Sequence, residues 1–279
     1  MNNHWHIGRH HRIALQGKAL IMGILNVTPD SFSDGGSYTS LHKAVERSLQ
    51  MVEEGASIID IGGESTRPGF EPLTSEEERV RVLPVIEALY NRTTAHLSID
   101  TYHSETARHA IDAGVDIVND IWGLQREPEM AEIVADKGAG VIIMHNSRDR
   151  EILPDLIEDQ KFFFEKSLTI ATKAGIDEAS IMLDPGIGFG KNLHDNLILI
   201  RRAKELTSLG FPLLAATSRK RFLGTISGHE EPKGRDVATA ATSILLRQAG
   251  FSVFRVHDVA INKDALAIVD AINGQDLNS

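Results

Sequence analysis

Cysteine is absent from the sequence, and so is any long apolar run. With no cysteine among 279 residues, the chain can form neither a disulfide framework nor a site that depends on thiol chemistry. Its apolar runs stop well short of the ~20 residues that a membrane-spanning helix needs, so we expect a soluble protein. The N-terminus also lacks the charged and then apolar pattern of a secretion signal, and a cytoplasmic location is therefore expected.

Positive charge is scarce as well. The formal net charge is −10, from 29 Lys and Arg against 39 Asp and Glu. Such a surface disfavours nonspecific binding to nucleic acid or to acidic lipid. An anionic small substrate would therefore have to be captured by a few locally placed cations.

A short apolar run followed by a longer segment with helical periodicity recurs along the chain. In the first helical segment, apolar residues are spaced by three or four positions at Leu41, Val45, Leu49 and Val52. Several such segments end in glycine, which terminates a helix in the left-handed conformation without strain. The apolar runs are residues 20–25, 57–61, 96–99, 116–118, 140–144, 180–183, 212–216 and 252–256. The terminal glycines are Gly55, Gly114, Gly138, Gly175, Gly210 and Gly250.

Eight βα units of this kind predict an α/β fold, a (β/α)8 TIM barrel. The spacing of the runs matches βαβ crossovers, and eight such units close into a barrel of about 250 residues. We expect one domain over residues 1–279, with residues 1–18 as an N-terminal extension. A doubly wound open sheet is the alternative, but it predicts a phosphate-binding fingerprint after the first strand, which residues 23–26 do not provide.

The N-terminal extension is rich in histidine. Short mixed segments on either side of Gly8 predict an extended hairpin. Its histidines do not repeat the spacing of a metal-binding motif, and chain termini are loosely held, so we expect a solvated terminal segment. These histidines are His4, His6, His10 and His11.

Polar residues follow every one of the eight apolar runs. In a TIM barrel, catalytic groups come from the carboxyl ends of the strands. Each of these residues alone is explained equally well as a turn former or a helix N-cap. Together, several carboxylates, amides and cations at one barrel mouth indicate a binding site. In chain order they are Asn26, the loop 62–69, Asp100, Asn119, His145, the loop 184–191, the segment 217–220, Arg255 and His257.

This set suits two kinds of ligand. Carboxylate and amide groups form in-plane hydrogen bonds with the edge of a flat nitrogen heterocycle. Cationic groups clamp phosphate oxygens, and Asn26 is a hard oxygen ligand for Mg²⁺ beside a diphosphate. The heterocycle set is Asp100, Asn119 and Asp184, and the cations are Arg67, Lys220, Arg255 and His257.

Three familiar motifs do not fit. Residues 186–191 resemble a phosphate-binding loop but match neither GxGxxG nor the Walker spacing. The segment 34–36 lacks the remaining ligands of a calcium loop. His145 and His257 are not at the spacing of a zinc-binding helix, so zinc is not expected there.

Five motifs resemble those of the dihydropteroate synthases, a pterin-binding barrel family of folate synthesis. They are GILNVTPDSFSDGG at 23–36, DIGGESTRPG at 60–69, DPGIGFGK at 184–191, SRK at 218–220 and RVH at 255–257. The resemblance extends from Leu20 to about Ile272. It implies an enzyme that joins 6-hydroxymethyl-7,8-dihydropterin diphosphate to 4-aminobenzoate, with Mg²⁺ as cofactor and a homodimer as the assembly.

The resemblance also implies roles for the matching residues. The pterin would be held by Asp100, Asn119, Met144, Asp184 and Lys220. The diphosphate would contact Asn26, Thr66, Arg67, Arg255 and His257, with Asn26 as the Mg²⁺ ligand. The 4-aminobenzoate would lie near Phe32, Pro68, Phe189, Ser218 and Lys220. The catalytic set would be Asp100, Lys220, Arg255 and His257.

An SN1-like reaction follows from these roles. Loss of diphosphate would leave positive charge on the pterin methylene, which the Asp100 carboxylate would stabilise before the amine attacks. Ala216 departs from the family, where glycine is frequent, and affects the fit of the pterin. We interpret Trp122 as a packing residue. The small-residue segment 238–246 is either a dimer face or barrel packing, and the sequence leaves both open.

Three other functions compete with this one. A pterin-dependent methyltransferase needs the Asp and Asn floor but has no use for a diphosphate cluster. A glycosidase needs two free barrel carboxylates and aromatic stacking surface, and aromatic residues make up only 5% of the chain. A non-catalytic pterin-binding protein would not need to keep the full diphosphate set.

Overall fold

The chain folds into a closed parallel barrel preceded by a hairpin. A computed structural model describes residues 3–8, 11–27, 37–64 and 72–274, with the backbone alone for 37–39. The strands are β1 (His4–Ile7), β2 (His11–Ala14), β3 (Leu20–Asn26), β4 (Ile58–Gly62), β5 (His96–Asp100), β6 (Ile117–Asp120), β7 (Gly140–Met144), β8 (Ile181–Asp184), β9 (Leu214–Ala215) and β10 (Val253–Val256). Parallel pairing runs β8-β7-β6-β5-β4-β3-β10-β9. A bridge between Leu183 and Leu213 joins the two ends, so the (β/α)8 prediction is confirmed and the open sheet is excluded.

Nine helices are described, and most lie between successive barrel strands. They are α1 (Ser37–Glu54), α2 (Ser75–Tyr90), α3 (Ser104–Asp112), α4 (Glu129–Lys137), α5 (Leu156–Ala174), α6 (Leu193–Arg202), α7 (Arg221–Ser227), α8 (Asp236–Gln248) and α9 (Val259–Asn273). The predicted glycine stops are confirmed: Gly138 and Gly175, for example, follow α4 and α5 with φ of 67° and 85°. No helix among the described residues has the length and apolarity needed to cross a membrane.

Alternation along the strands divides the apolar residues into two cores. Outward-facing side chains such as Ile59 and Ile61 pack beneath the helices. Side chains that face inward alternate with these along each strand and fill the barrel, and Ile58, Ile117 and Met182 are among them. The polar residue two positions after each of these side chains therefore also faces inward, closer to the barrel mouth.

The hairpin β1-β2 closes the opposite end of the barrel, so the expectation of a solvated terminal segment was wrong. Trp5 and Ile7 are completely buried and join the interior core. The Trp5 indole Nε1 donates a hydrogen bond to the Ser180 carbonyl at 2.9 Å. Burial of two large apolar side chains outweighs the loose attachment that is usual for a terminus.

The segment 238–246 lies in helix α8. Of its small residues, Thr239, Ala240 and Ser243 are buried, whereas Ala241 is exposed. The Ser243 hydroxyl donates to Asn262 of α9 at 2.8 Å. These small residues therefore serve internal packing, and the exposed face of α8 carries Val237 and Leu245 instead.

Candidate active site

Three of the predicted site residues lie in one row across adjacent strand ends. Asn26 is in register with Gly62, Gly62 with Asp100, and Asp100 with Asn119. Gly62 keeps the row open: a Cβ there would lie 3.6 Å from Asp100 Oδ2 and 3.9 Å from Asn26 Oδ1. The side chains on either side of Gly62 therefore face a common space at the carboxyl end of the barrel.

Asp60, which the sequence prediction omitted, is the centre of the polar network. Its side chain is completely buried. One carboxylate oxygen accepts from Ser98 Oγ at 2.5 Å, and the other accepts from Asn119 Nδ2 at 3.1 Å and from Arg255 Nε at 2.6 Å. Since a buried charge must be paired, a carboxylate within the apolar run 58–61 was a signal for an internal cation.

Arg255 connects Asp60 to Asp100. Its Nη2 donates to Asp100 Oδ2 at 2.5 Å, so one guanidinium serves two carboxylates. Burial raises the pKa of Asp100 to about 7, and the attraction of Arg255 offsets this effect only in part. Burial lowers the pKa of Arg255, but the two carboxylates outweigh burial and raise it above its ordinary value.

Asp184 and Lys220 are two further charged residues at the mouth and are close enough to affect each other's pKa. Asp184 is buried, and its Oδ1 accepts from the Gly186 amide at 2.8 Å. Burial lowers the pKa of Lys220 to about 8, against the opposing attraction of Asp184. The Lys220 Nζ donates to the Ile187 carbonyl. A lysine with this pKa carries most of its charge at neutral pH and remains able to titrate.

The loop after β8 depends on glycine. Gly186 and Gly188 have φ of 61° and 80°, a region that favours glycine. A Cβ at Gly186 would lie 2.2 Å from the His145 carbonyl oxygen, and one at Gly188 would lie 2.2 Å from Lys220 Cδ. The glycines therefore let the loop backbone approach β7 and the Lys220 side chain.

Lys191 holds this loop in place. Its Nζ contacts the carbonyls of Gly186 and Phe189 at 2.9 and 3.2 Å, and His145 Nδ1 at 3.1 Å. Burial and the nearby Lys220 lower the pKa of Lys191 to about 7.

His145 is part of a structural network behind the loop. Its Nε2 lies 3.0 Å from Asp159 Oδ2, and Arg150 also binds Asp159, with Nη1 to Oδ1 at 2.9 Å. Burial lowers the pKa of His145 to about 4, despite the hydrogen bond to Asp159. His145 is therefore neutral at physiological pH and serves the packing of the site.

An apolar and aromatic wall borders the polar groups. Tyr102, Ile121 and Met144 form a small buried cluster against which Trp122 and Phe189 pack. The Arg126 guanidinium lies 4.7 Å from the Trp122 ring centroid, and that of Arg148 lies 4.3 Å from the Phe189 centroid. Trp122 packs against this cluster, and Met144 and Phe189 belong to one wall; their contacts with pterin and benzoate stay predictions.

Ser218 and His257 are direct neighbours. The Ser218 Oγ lies 2.9 Å from His257 Nδ1 and accepts from the His257 amide at 3.1 Å. Residues assigned to benzoate and to diphosphate thus meet at one corner of the mouth. The remaining predicted site residues, Phe32, Thr66, Arg67 and Pro68, lie outside the described residues.

Comparison with known proteins identifies the family. The model of the pterin binding enzyme family matches residues 22–257. The chain is 47% identical to the dihydropteroate synthase of Bacillus subtilis, over 88% of this chain and 86% of that protein. Solved dihydropteroate synthases superpose on it: that of Clostridium difficile in the presence of pteroic acid (44% identity, TM-score 0.90, covering 92% and 98% of the two chains) and that of Xanthomonas albilineans with 4-aminobenzoic acid (42%, 0.90, 95% and 96%). With the described parts of these motifs at one barrel mouth, this chain belongs to the pterin binding enzyme family and, within it, to the dihydropteroate synthases.

Proposed function

We propose that this chain condenses 6-hydroxymethyl-7,8-dihydropterin diphosphate with 4-aminobenzoate, giving 7,8-dihydropteroate and diphosphate in folate synthesis. The observation that carries the proposal is the buried Asp60–Arg255–Asp100 network beside the wall of Met144 and Phe189. It combines a polar floor, an apolar face and a cation at one barrel mouth. These are the features that a charged heterocyclic substrate requires.

The floor of the mouth recognises the pterin. The hydrogen bond from Asn119 Nδ2 to Asp60 orients the Asn119 amide, so that its Oδ1 serves as an acceptor for the heterocycle. Asp184 accepts from substrate N–H groups, and Lys220 donates to a ring acceptor from the other side. Met144 supplies an apolar surface for one face of the ring.

Reaction begins when the bond between the pterin methylene carbon and the diphosphate oxygen breaks. The bonding electrons leave with the diphosphate, and positive charge develops on the methylene and the conjugated ring. The ionised Asp100 carboxylate stabilises this charge electrostatically. The aniline nitrogen then forms the C–N bond and loses one proton to the departing diphosphate or to water, so no covalent enzyme intermediate is required.

Cationic residues of this chain serve the leaving group and the benzoate. Arg255 lies near the end of β10 and His257 directly follows that strand; both would place donors on the diphosphate side. Lys220, with Ser218 next to it in the same loop, attracts the benzoate carboxylate. Phe189 packs against the benzoate ring.

Asn26 fits the role of a Mg²⁺ ligand. Its amide stands half-buried at the end of β3, and its side chain forms no hydrogen bond with another of the described residues. Its oxygen faces the same space as Asp100 across Gly62. Mg²⁺ bound by Asn26 and diphosphate oxygens would neutralise the charge that develops on the leaving group.

The competing functions fit the described site less well. The Asp120 carboxylate accepts from the amides of Trp122 and Leu124 at 2.8 and 2.7 Å, and Glu64 accepts from the Tyr102 hydroxyl. With Asp100 bound to Arg255, no free pair of carboxylates remains among the described residues for glycoside hydrolysis. A pterin-dependent methyltransferase has no diphosphate to bind, so the cationic residues on that side of the mouth would have no ligand.

A direct assay tests the proposal. The purified chain is supplied with the pterin diphosphate, 4-aminobenzoate and Mg²⁺, and the products are separated by chromatography. We expect dihydropteroate and diphosphate in equal amounts, each dependent on both substrates. Folded protein that forms neither product would refute the proposed reaction.

We also propose that the chain forms a homodimer through α8 and α9. Val237 and Leu245 of α8 are 74% and 52% exposed, and Ile268 and Ile272 of α9 are each 64% exposed. Because α8 and α9 pack together, these side chains extend one apolar surface, which a second copy would cover. The cytoplasmic location expected from the sequence stays a prediction.

A further inference from the structure

Two histidines and an aspartate meet at the end of the barrel opposite the active site. His11 lies on β2 of the hairpin, His96 is the first residue of β5, and Asp116 immediately precedes β6. Among the described residues, this is the one group of three or more potential metal-binding side chains whose ligand atoms lie within 4.8 Å of one another. Nothing in the reaction proposed above uses it.

The two imidazoles approach the same carboxylate with the same ring atom. His11 Nδ1 lies 3.0 Å from Asp116 Oδ1, and His96 Nδ1 lies 3.1 Å from Asp116 Oδ2. The imidazole centroids are 5.5 Å apart. Nitrogen and oxygen atoms at these separations need only small shifts to share one ion at metal–ligand distances of about 2.0–2.2 Å.

The backbone holds the carboxylate in place before any ion binds. The Asp116 amide donates to the Leu97 carbonyl at 2.9 Å, and the Asp116 carbonyl accepts from the amides of Gly8 and Gly140 at 3.2 and 2.9 Å. Gly8 has φ of 57°, and a Cβ there would lie 3.0 Å from Asp116 Oδ1. The hairpin turn thus rests directly on the aspartate, and the site is preorganised by main-chain contacts from three segments.

The charges and exposure of the group suit a cation. Asp116 contributes a carboxylate that lies between the two imidazoles, with one oxygen facing each ring. The His11 side chain is 58% exposed, whereas those of His96 and Asp116 are 29% and 17% exposed. His96 and Asp116 are partly buried and fix the position of the site, whereas the exposed His11 ring leaves an entry path for an ion.

We propose that His11, His96 and Asp116 bind one divalent transition-metal ion, with Zn²⁺ as the representative of the class. Imidazole nitrogen favours Zn²⁺, Co²⁺ and their neighbours over Mg²⁺ and Ca²⁺. On binding, each ring proton moves from Nδ1 to Nε2, and each Nδ1 lone pair and the Asp116 carboxylate coordinate the ion. Water completes the coordination on the exposed side.

Such an ion would fasten the hairpin to the barrel. One ligand belongs to the hairpin and two belong to the strands that it covers, so binding links the segment that carries the buried Trp5 and Ile7 to β5 and β6. Metal affinity then adds to the stability of the closed barrel end, because the unfolded chain does not hold these three groups together.

Calorimetric titration of chelator-treated protein with Zn²⁺ tests the site, and the hairpin provides its own control. His6 lies on β1 and pairs with Asp177, with Nδ1 3.2 Å from Oδ2, and it does not belong to the cluster of His11, His96 and Asp116. We expect one saturable equivalent of Zn²⁺ in the wild type and in His6→Gln. In His11→Gln and His96→Gln the affinity should fall at least about tenfold, as loss of a ligand or its support does in metal sites. Asn26→Ala should retain the equivalent, which separates this site from the barrel mouth.

Two further readouts do not depend on enzymatic activity. At Zn²⁺ near 100 times its dissociation constant, the Tm of the wild type and of His6→Gln should rise by about 5 °C, and that of His11→Gln should not. Co²⁺ should give visible absorption bands that His11→Gln abolishes. Absence of saturable binding, or equal binding by wild type, His11→Gln and His96→Gln with native circular dichroism, would overturn the proposal.

Discussion

Arg255 Nη2 lies 2.5 Å from Asp100 Oδ2, at the point where the substrate cation is expected to form. The same guanidinium also binds Asp60 through Nε at 2.6 Å. One positive charge is therefore divided between two carboxylates, and burial leaves the pKa of Asp100 at about 7. A carboxylate that is only partly neutralised retains charge with which to stabilise a cation.

The pH dependence of kcat/KM should be bell-shaped, with its maximum between pH 7 and 8. Activity should rise as Asp100 loses its proton, since burial raises its pKa to about 7. It should fall again as Lys220 loses its charge, since burial lowers that pKa to about 8. Steady-state rates with the pterin diphosphate as the varied substrate measure both limbs.

Lys220→Arg isolates the alkaline limb, because arginine keeps its charge throughout this range. The alkaline limb should move to higher pH while the acid limb stays in place. An alkaline limb that is identical in wild type and Lys220→Arg would show that another group titrates there.

Asp60→Asn should destabilise the protein by about 3 kcal/mol, since it leaves the partly buried Arg255 without one of its two carboxylates. The free energy of unfolding in urea measures the effect. Glu158→Gln is the matched control: its exposed pairing with Lys161 should be worth less than about 1 kcal/mol. Equal effects of the two substitutions would contradict the central position of Asp60.

Lys191→Met should loosen the loop after β8 without unfolding the chain. It removes donors from the Gly186 and Phe189 carbonyls, and each buried carbonyl that is left unsatisfied costs about 1–3 kcal/mol. We expect kcat/KM to fall about tenfold, mainly through a higher KM for the pterin substrate. Lys166→Met, at an exposed position of α5, should leave both constants unchanged.

Leu245→Glu should convert the proposed dimer to monomers, because it introduces a charge into the apolar surface of α8 and α9. Light scattering coupled to gel filtration gives the mass of each species. Val80→Glu places the same charge at a residue of α2 that is 72% exposed and should leave the dimer intact. A wild type with the mass of one chain would refute the dimer itself.

The barrel was predictable from the sequence because its strands are short continuous apolar runs, each followed by a longer segment with helical periodicity. Predicted and observed strands agree within a residue or two, except that the run 212–216 shortens to Leu214–Ala215. Pro212 has no amide hydrogen for pairing, and its carbonyl instead accepts from the Leu183 amide at 2.9 Å. The polar residues of the site were predictable because each apolar run stops at a polar residue, and the carboxyl ends of all barrel strands meet at one mouth.

Contacts between distant segments were not predictable in this way. Asp60 is the centre of the polar network only because the fold brings Arg255 beside it, from 195 positions further along the chain. The buried hairpin likewise depends on the contact of Trp5 with Ser180. Local pattern carries no information about such partners, although a carboxylate inside an apolar strand does indicate that one must exist.

The electrostatic role of Asp100 is tested most directly by Asp100→Asn, which keeps the shape of the side chain and removes its charge. Turnover and pterin binding are measured on the same preparation, by product formation and by calorimetry. We predict that kcat falls about 100-fold or more while pterin affinity changes much less, because the charge acts mainly in the transition state. Near-normal turnover by Asp100→Asn would contradict the account.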